Sequence, residues 1–304
     1  MPTKNIPLII SGAPRSGTTL LYNLFDGHSQ IGWLVEEGFL FEFFDRLDIR
    51  NASVVLDAIP ADTDALIAGL RSRQLMPPLN EPVVQSPERG SVTEITIDTP
   101  WSEEKFRAAL ASPRGGGVEG LWQRLAGAYL AAMGQEPRLF ACMKAPDFCR
   151  SVHAVLELVP DARAITILRN PLYALDSLKR SREMRGAKLF TWPEFAQNVI
   201  AFLEMQKRIG QADRKRHRVV KYETLVEEPG RTMRDVAEWL GITFEPCLLE
   251  PTVLGKSWPG ISSFQPMSGI ERSSAERGIK SLTAGEQQFV RKTLARLLAE
   301  YGYE

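Results

Sequence analysis

The passage from residue 7 to residue 28 limits the fold more than any other part of the chain. A short apolar run, Pro7–Ser11, leads into Gly12-Ala-Pro-Arg-Ser-Gly-Thr-Thr19. That string opens onto an amphipathic stretch in which Leu20, Leu21, Leu24, Phe25 and His28 share one helical face. Glycine lets the backbone turn tightly and aim its N–H groups inward. The start of a helix adds N–H groups without intrahelical partners and the positive end of a dipole, so the junction is suited to an anion. The spacing follows the phosphate-loop pattern G-x-x-x-x-G-K-[ST] at every place but one: Thr18 stands where the lysine belongs. That lysine reaches the β and γ phosphates of a bound triphosphate. Its absence points to a shorter, less charged anion held by the backbone around Gly17, by Arg15 and by the hydroxyls of Ser16, Thr18 and Thr19. The alternative is a glycine-rich strand–helix turn that binds nothing.

Three more short apolar runs read as buried strands: Arg138–Met143, Ala164–Leu168 and Arg218–Lys221. Helical periodicity recurs over 121–133, 192–209 and 289–301. Buried strands alternating with amphipathic helices predict an α/β fold, a parallel β-sheet flanked by helices on both faces, with ligands beyond the carboxyl ends of the strands. The chain, 1–304, reads as one domain, large enough to bury a core without a disulfide or a metal. Residues 76–101 hold five prolines and some alternation near Val92–Ile97; they form either an excursion on the acceptor side of the pocket or a plain surface connection.

Composition removes several classes of function. Net charge is zero, which argues against a general nucleic-acid coat but allows a local basic pocket. Three cysteines, Cys142, Cys149 and Cys247, make no disulfide framework, and their spacing matches no common zinc pattern. No apolar run approaches the length of a membrane span, and the N-terminus does not read as a signal peptide, so a cytoplasmic location is expected. Nothing in the sequence indicates the oligomeric state.

The residues just beyond each strand carry the remaining chemistry. After Leu168 comes Arg169-Asn170-Pro171, in which Asn170 can cap a helix with Pro171 at its first position. Arg169 is thereby set at the mouth of the sheet, where a guanidinium can bind phosphate bidentately. Ser177 lies about two turns into that helix. Lys144 closes the second run and points to the same crevice, unless it is simply a surface lysine. The fourth run leads into Tyr222-Glu-Thr-Leu-Val-Glu-Glu-Pro229, where Tyr222 is otherwise a core residue. The following helix is expected to begin near Pro229 and to end at Gly241. Glu36 and Glu37 come after the first helix and are either a site for a proton or carboxylates capping the next helix. His28 reads as a packed histidine. Trp33 and the phenylalanines of 39–44 are equally suited to an acceptor pocket and to the core.

Pro14-Arg15-Ser16-Gly17-Thr18-Thr19 resembles the 5′-phosphosulfate loop of sulfotransferases that use 3′-phosphoadenosine-5′-phosphosulfate (PAPS), closest to the tyrosylprotein and bacterial branches. The likeness covers residues 6–30, 138–182 and 217–245 and extends to Tyr301-Gly-Tyr303; residues 45–135 match no family. It implies a P-loop NTPase-like sulfotransferase fold and in-line transfer of a sulfuryl group to a hydroxyl or amine, leaving 3′-phosphoadenosine-5′-phosphate (PAP), with no metal. The Arg169-x7-Ser177 spacing is similar to the family's 3′-phosphate motif, Lys144 matches a lysine that contacts the transferred group, and Tyr222 falls near the nucleotide. Glu36, 21 positions after Arg15, stands at the offset of the family's catalytic glutamate, and Glu37 fits if one residue is inserted. Arg15, Lys144 and Glu36 are thus the expected catalytic set. The acceptor is a small molecule, a sugar, a peptide or a carrier-bound group. Two rival readings stay open: a small-molecule kinase or other phosphotransferase on a related fold, and a nucleotide-binding module without chemistry.

Overall fold

The computed structural model describes residues 4–34, 64, 83–85, 95–97, 100–111, 117–145, 149–184, 190–258, 269–271 and 278–303. Its first strand, β1 (Ile6–Ser11), is buried at every position, as an unbroken apolar run in a central parallel strand must be. Helix α1 (Thr18–Asn23) follows the glycine-rich turn, and β2 (Ile31–Trp33) returns to the sheet. Two short strands, β3 (Val83–Gln85) and β4 (Ile95–Ile97), pair antiparallel with Val83 opposite Ile97. Next come helices α2 (Glu103–Ala111) and α3 (Gly117–Ala132), then β5 (Phe140–Ala145) and α4 (Cys149–Leu158). Strand β6 (Arg163–Leu168) leads to α5 (Pro171–Met184) and α6 (Trp192–Gln211). Strand β7 (His217–Lys221) runs straight into α7 (Tyr222–Glu227) and α8 (Pro229–Leu240). A hairpin of β8 (Thr252–Val253) and β9 (Lys256–Ser257) precedes α9 (Ala284–Thr293) and α10 (Ala295–Tyr301).

The main sheet has five parallel strands in the order β2-β5-β1-β6-β7, flanked by helices. Strand β1 is central, with Ser11 opposite Ala145 on one side and Thr166 on the other. The ends of β1, β5 and β6 therefore lie side by side, and the segments leaving them share one edge. Two buried apolar clusters hold the layers. The larger gathers β1, β5 and α3 with α8; the smaller packs α5, α6, α9 and α10 together around Phe195, Phe202 and Leu297.

The sequence expectation of four strands is met and extended. Strand β2 escapes periodicity because it has only three residues and contains Gly32, whose missing side chain admits Leu130: a Cβ there would stand 2.5 Å from Leu130 Cδ1. Strand β5 sits two residues later than the apolar run suggested, so Lys144 lies inside the strand. The final helical stretch divides at Leu294 (φ −104°, ψ 20°) into α9 and α10. Helix α8 behaves as read, with Pro229 in its first turn and Gly241 closing it in the left-handed region at φ 71°. Two capping boxes, Thr191 with Glu194 and Thr283 with Glu286, fix the starts of α6 and α9; the Thr-x-x-Glu spacing announces both. Trp33 is a core residue: it is fully buried, stacks on Tyr22 with centroids 4.8 Å apart, and its Nε1–H donates to the Tyr22 carbonyl at 3.2 Å. His28 is packed too, its Nε2 2.8 Å from the Thr243 carbonyl and its Nδ1 accepting from the Gln30 amide at 3.0 Å.

A polar thread crosses the sheet just below the glycine-rich turn. The buried hydroxyls of Ser11 and Thr166 lie 2.8 Å apart, and Thr166 Oγ1 lies 2.7 Å from His217 Nε2. Burial, helped by the charge of nearby His153, pushes the His217 imidazolium down to about 4 from 6.5. A histidine with a depressed folded pKa favours folding while neutral, and that advantage is lost as pH falls from the unfolded toward the folded value. Between pH 6.5 and 4 the protein is expected to lose about 2–3 kcal/mol of stability through this group. Denaturation across that window should show a shallower pH slope for His217→Gln than for the native chain; equal slopes would assign the loss elsewhere.

Candidate functional site at the carboxyl edge of the sheet

The turn between β1 and α1 is shaped by contacts that exclude side chains. A Cβ on Gly12 would stand 2.5 Å from the Ile167 carbonyl oxygen, and one on Gly17 would stand 2.4 Å from Tyr222 Cδ2. Gly17 also holds φ 95°, and Arg15 occupies the left-handed region at φ 66°, uncommon for a residue with a side chain. The turn is closed by the Ser16 amide donating to the Ala13 carbonyl at 3.1 Å. No side chain caps α1, so the helix start faces the turn with backbone donors only.

Four elements deliver polar side chains here. From β5, the buried Lys144 Nζ donates to Thr19 Oγ1 at 2.8 Å. From the end of β6, the buried Arg169 Nη1 donates to the Arg15 carbonyl at 3.2 Å. Its guanidinium carbon lies 4.8 Å from the ring centroid of Tyr222, the first residue of α7. From α5, Ser177 Oγ accepts from Arg15 Nε at 3.4 Å. Arg15, Ser16, Gly17, Thr18, Thr19, Lys144, Arg169, Ser177 and Tyr222, drawn from residues 15 to 222, thus meet around one turn. Glu36 and Glu37 lie outside the described residues, as do the phenylalanines of 39–44.

The arrangement suits an anion. Ser16 is fully buried and its Oγ has no hydrogen-bond partner, a costly state for a hydroxyl unless a ligand completes it. Three cationic side chains concentrate positive potential on the same turn. Among the described residues, no group of three or more His, Cys, Asp or Glu side chains could hold a metal ion, and no helix is long and apolar enough to cross a membrane.

Two supports were not read from the sequence. Asp176, buried on α5 beside Ser177, accepts three backbone N–H groups through Oδ1, from Lys280 at 2.9 Å, Ser281 at 2.6 Å and Leu282 at 3.1 Å. Asp26, just past α1, accepts from Thr252 Oγ1 at 2.7 Å and from the Gly255 amide at 2.8 Å, tying the β8–β9 hairpin to the turn following α1. Both span more than 100 residues of chain, so no local pattern announces them. The one signal was an aspartate among apolar neighbours, Leu175-Asp176 and Phe25-Asp26.

Known proteins give a consistent picture. The chain is 26% identical over 330 residues to the nodulation protein NoeE of Sinorhizobium fredii, an alignment covering 98% of this chain and 67% of that protein. In fold it is similar to the sulfotransferase domain of the Curacin biosynthetic pathway (TM-score 0.53, 17% identity, 95% of this chain and 97% of that one). It is likewise similar to the sulfotransferase domain of the Synechococcus PCC 7002 olefin synthase (TM-score 0.54, 19% identity, 96% and 94%). A sequence model of the sulfotransferase family matches residues 7–246, the span that holds the turn after β1, Lys144, Arg169, Ser177 and Tyr222, and the chain therefore belongs to the sulfotransferase family.

Proposed function

We propose that this sulfotransferase takes its sulfuryl group from PAPS and passes it to a hydroxyl or amine acceptor. The observation that carries the reading is the meeting of Arg15, Lys144 and Arg169 on a turn that lacks the lysine of triphosphate loops and buries an unpartnered Ser16 hydroxyl. The residues fit such a donor at both ends. Backbone amides of the turn, with Ser16, Gly17, Thr18 and Thr19, would hold the 5′-phosphate side. Arg169 and Ser177, bridged by Arg15, would hold the 3′-phosphate, and Tyr222 would border the nucleotide.

When bound, the donor supplies a sulfuryl group already attached to a phosphate leaving group. The chain has three tasks. It aligns the acceptor behind the sulfur, which lowers the barrier chiefly through orientation. It accepts the acceptor's proton, a role for Glu36, which stands three residues beyond the carboxyl end of β2, the strand next to the one carrying Lys144. It stabilises the negative charge that grows on the departing phosphate, through Arg15, Lys144 and the amides of the turn. Lys144 suits the last task because its ammonium is buried and already oriented by Thr19, so little reorganisation is required. The acceptor class is the family's broad one: a small molecule, a sugar, a peptide or a carrier-bound group.

The donor and the base can be tested separately. PAP at 100 times its dissociation constant, without magnesium, is expected to raise stability by about 2.7 kcal/mol in thermal or chemical denaturation; stabilisation by ATP with magnesium alone would favour a phosphotransferase. Glu36→Gln is expected to lower turnover about 10²–10⁴-fold while PAP affinity stays within about twofold. Near-normal turnover in that variant would remove Glu36 from the role.

A further inference from the structure

Three consecutive residues at the β7–α7 junction divide their work. Tyr222 lies under the Arg169 guanidinium, whereas its neighbours on either side hold residues Tyr301 and Tyr303. Lys221 Nζ donates to the Tyr301 carbonyl at 2.7 Å and lies 4.7 Å from the ring centroid of Tyr303. Glu223 Oε2 accepts from the Tyr303 hydroxyl at 2.9 Å, and its Oε1 accepts from the Asn170 amide at 2.9 Å. The same hydroxyl lies 3.2 Å from the Leu168 carbonyl. Gly302, left-handed at φ 64°, ends α10 and turns the chain so that the Tyr303 ring is buried. Burial and the Glu223 carboxylate raise the Tyr303 phenol well above its ordinary value, so it remains a donor.

The backbone of Arg169 is thus gripped on both sides. Leu168 before it meets the Tyr303 hydroxyl, and Asn170 after it meets the carboxylate that the same hydroxyl donates to. We propose that Tyr303, acting through Glu223, is a positioning residue: the segment after α10 is a latch that holds Arg169 at the angle needed to read the 3′-phosphate of the nucleotide. The proposal rests on the donor reading above. It gives Tyr303, far in sequence from the turn and from Arg169, a part in specificity.

The test compares PAP with adenosine 5′-phosphate, which lacks the 3′-phosphate, by calorimetric titration of the native chain, Tyr303→Phe and Arg169→Ala. Tyr303→Phe keeps the ring and its contact with Lys221 and removes only the hydroxyl. It is expected to weaken PAP binding about tenfold and to leave adenosine 5′-phosphate within about twofold. A purely structural role would weaken both nucleotides alike or neither, and either result overturns the latch. If discrimination depends on Arg169 and not on Tyr303, the latch alone falls. A native protein that does not distinguish the two nucleotides overturns the donor reading and the latch with it. Should Tyr303→Phe fail to fold, Glu223→Gln carries the same comparison with the same criteria.

Discussion

A Cβ atom at Gly12 would press on the backbone of β6, and one at Gly17 on the ring of Tyr222 at the end of β7. The turn after β1 can therefore sit directly on the ends of its neighbours, with no side chain to hold it away. That close seating has a chemical result. The Arg15 carbonyl comes within reach of the guanidinium of Arg169, and Thr19 comes within reach of the ammonium of Lys144. A side chain at either glycine would push the turn outward, away from the neighbours it now touches. The left-handed backbone of Arg15 belongs to the same geometry, since it aims the carbonyl at Arg169 and the side chain at Ser177. A non-glycine residue in that region is strained, and such strain is commonly concentrated where a ligand binds.

Charge is distributed around this edge in an orderly way. Positive groups gather at the turn: Arg15, Lys144 and Arg169 all reach it. Negative groups stand one layer out, and each accepts two or three hydrogen bonds from the scaffold. Asp176 fixes the segment before α9 beside Ser177, Asp26 fixes the β8–β9 hairpin, and Glu223 ties α7 to the start of α5 and to Tyr303. Carboxylates that accept several hydrogen bonds hold their partners firmly. The periphery thus supplies rigidity without offering its charge to the centre. Rigid placement of this kind lets a site act through fixed charges with little reorganisation.

Much of the centre was legible because the residues that form it come directly after strands or close them. The turn after β1, Lys144 in β5, Arg169 after β6 and Tyr222 after β7 are each announced by a short apolar run, and parallel pairing brings their ends together. Strand β2 was not legible, because three residues with a central glycine carry no periodicity and owe their place to Leu130 across the layer. The break at Leu294 was hidden for a different reason: the apolar positions of α9 and α10 continue one pattern across it. The partners of Asp26, Asp176 and Tyr303 could not be read locally, since they lie 226 to 229, 104 to 106 and 80 to 135 residues away. Chain folding, and not spacing, makes those pairs.

The proposed donor requires this edge of the sheet to cradle a nucleotide carrying phosphate at both its 3′ and 5′ positions. A crystal structure with PAP bound tests it most directly. The 5′-phosphate is expected against the amides of residues 15–19 and Lys144, and the 3′-phosphate against Arg169 and Ser177. Density for the nucleotide at another edge of the sheet, or a 3′-phosphate turned away from Arg169 into solvent, would contradict it.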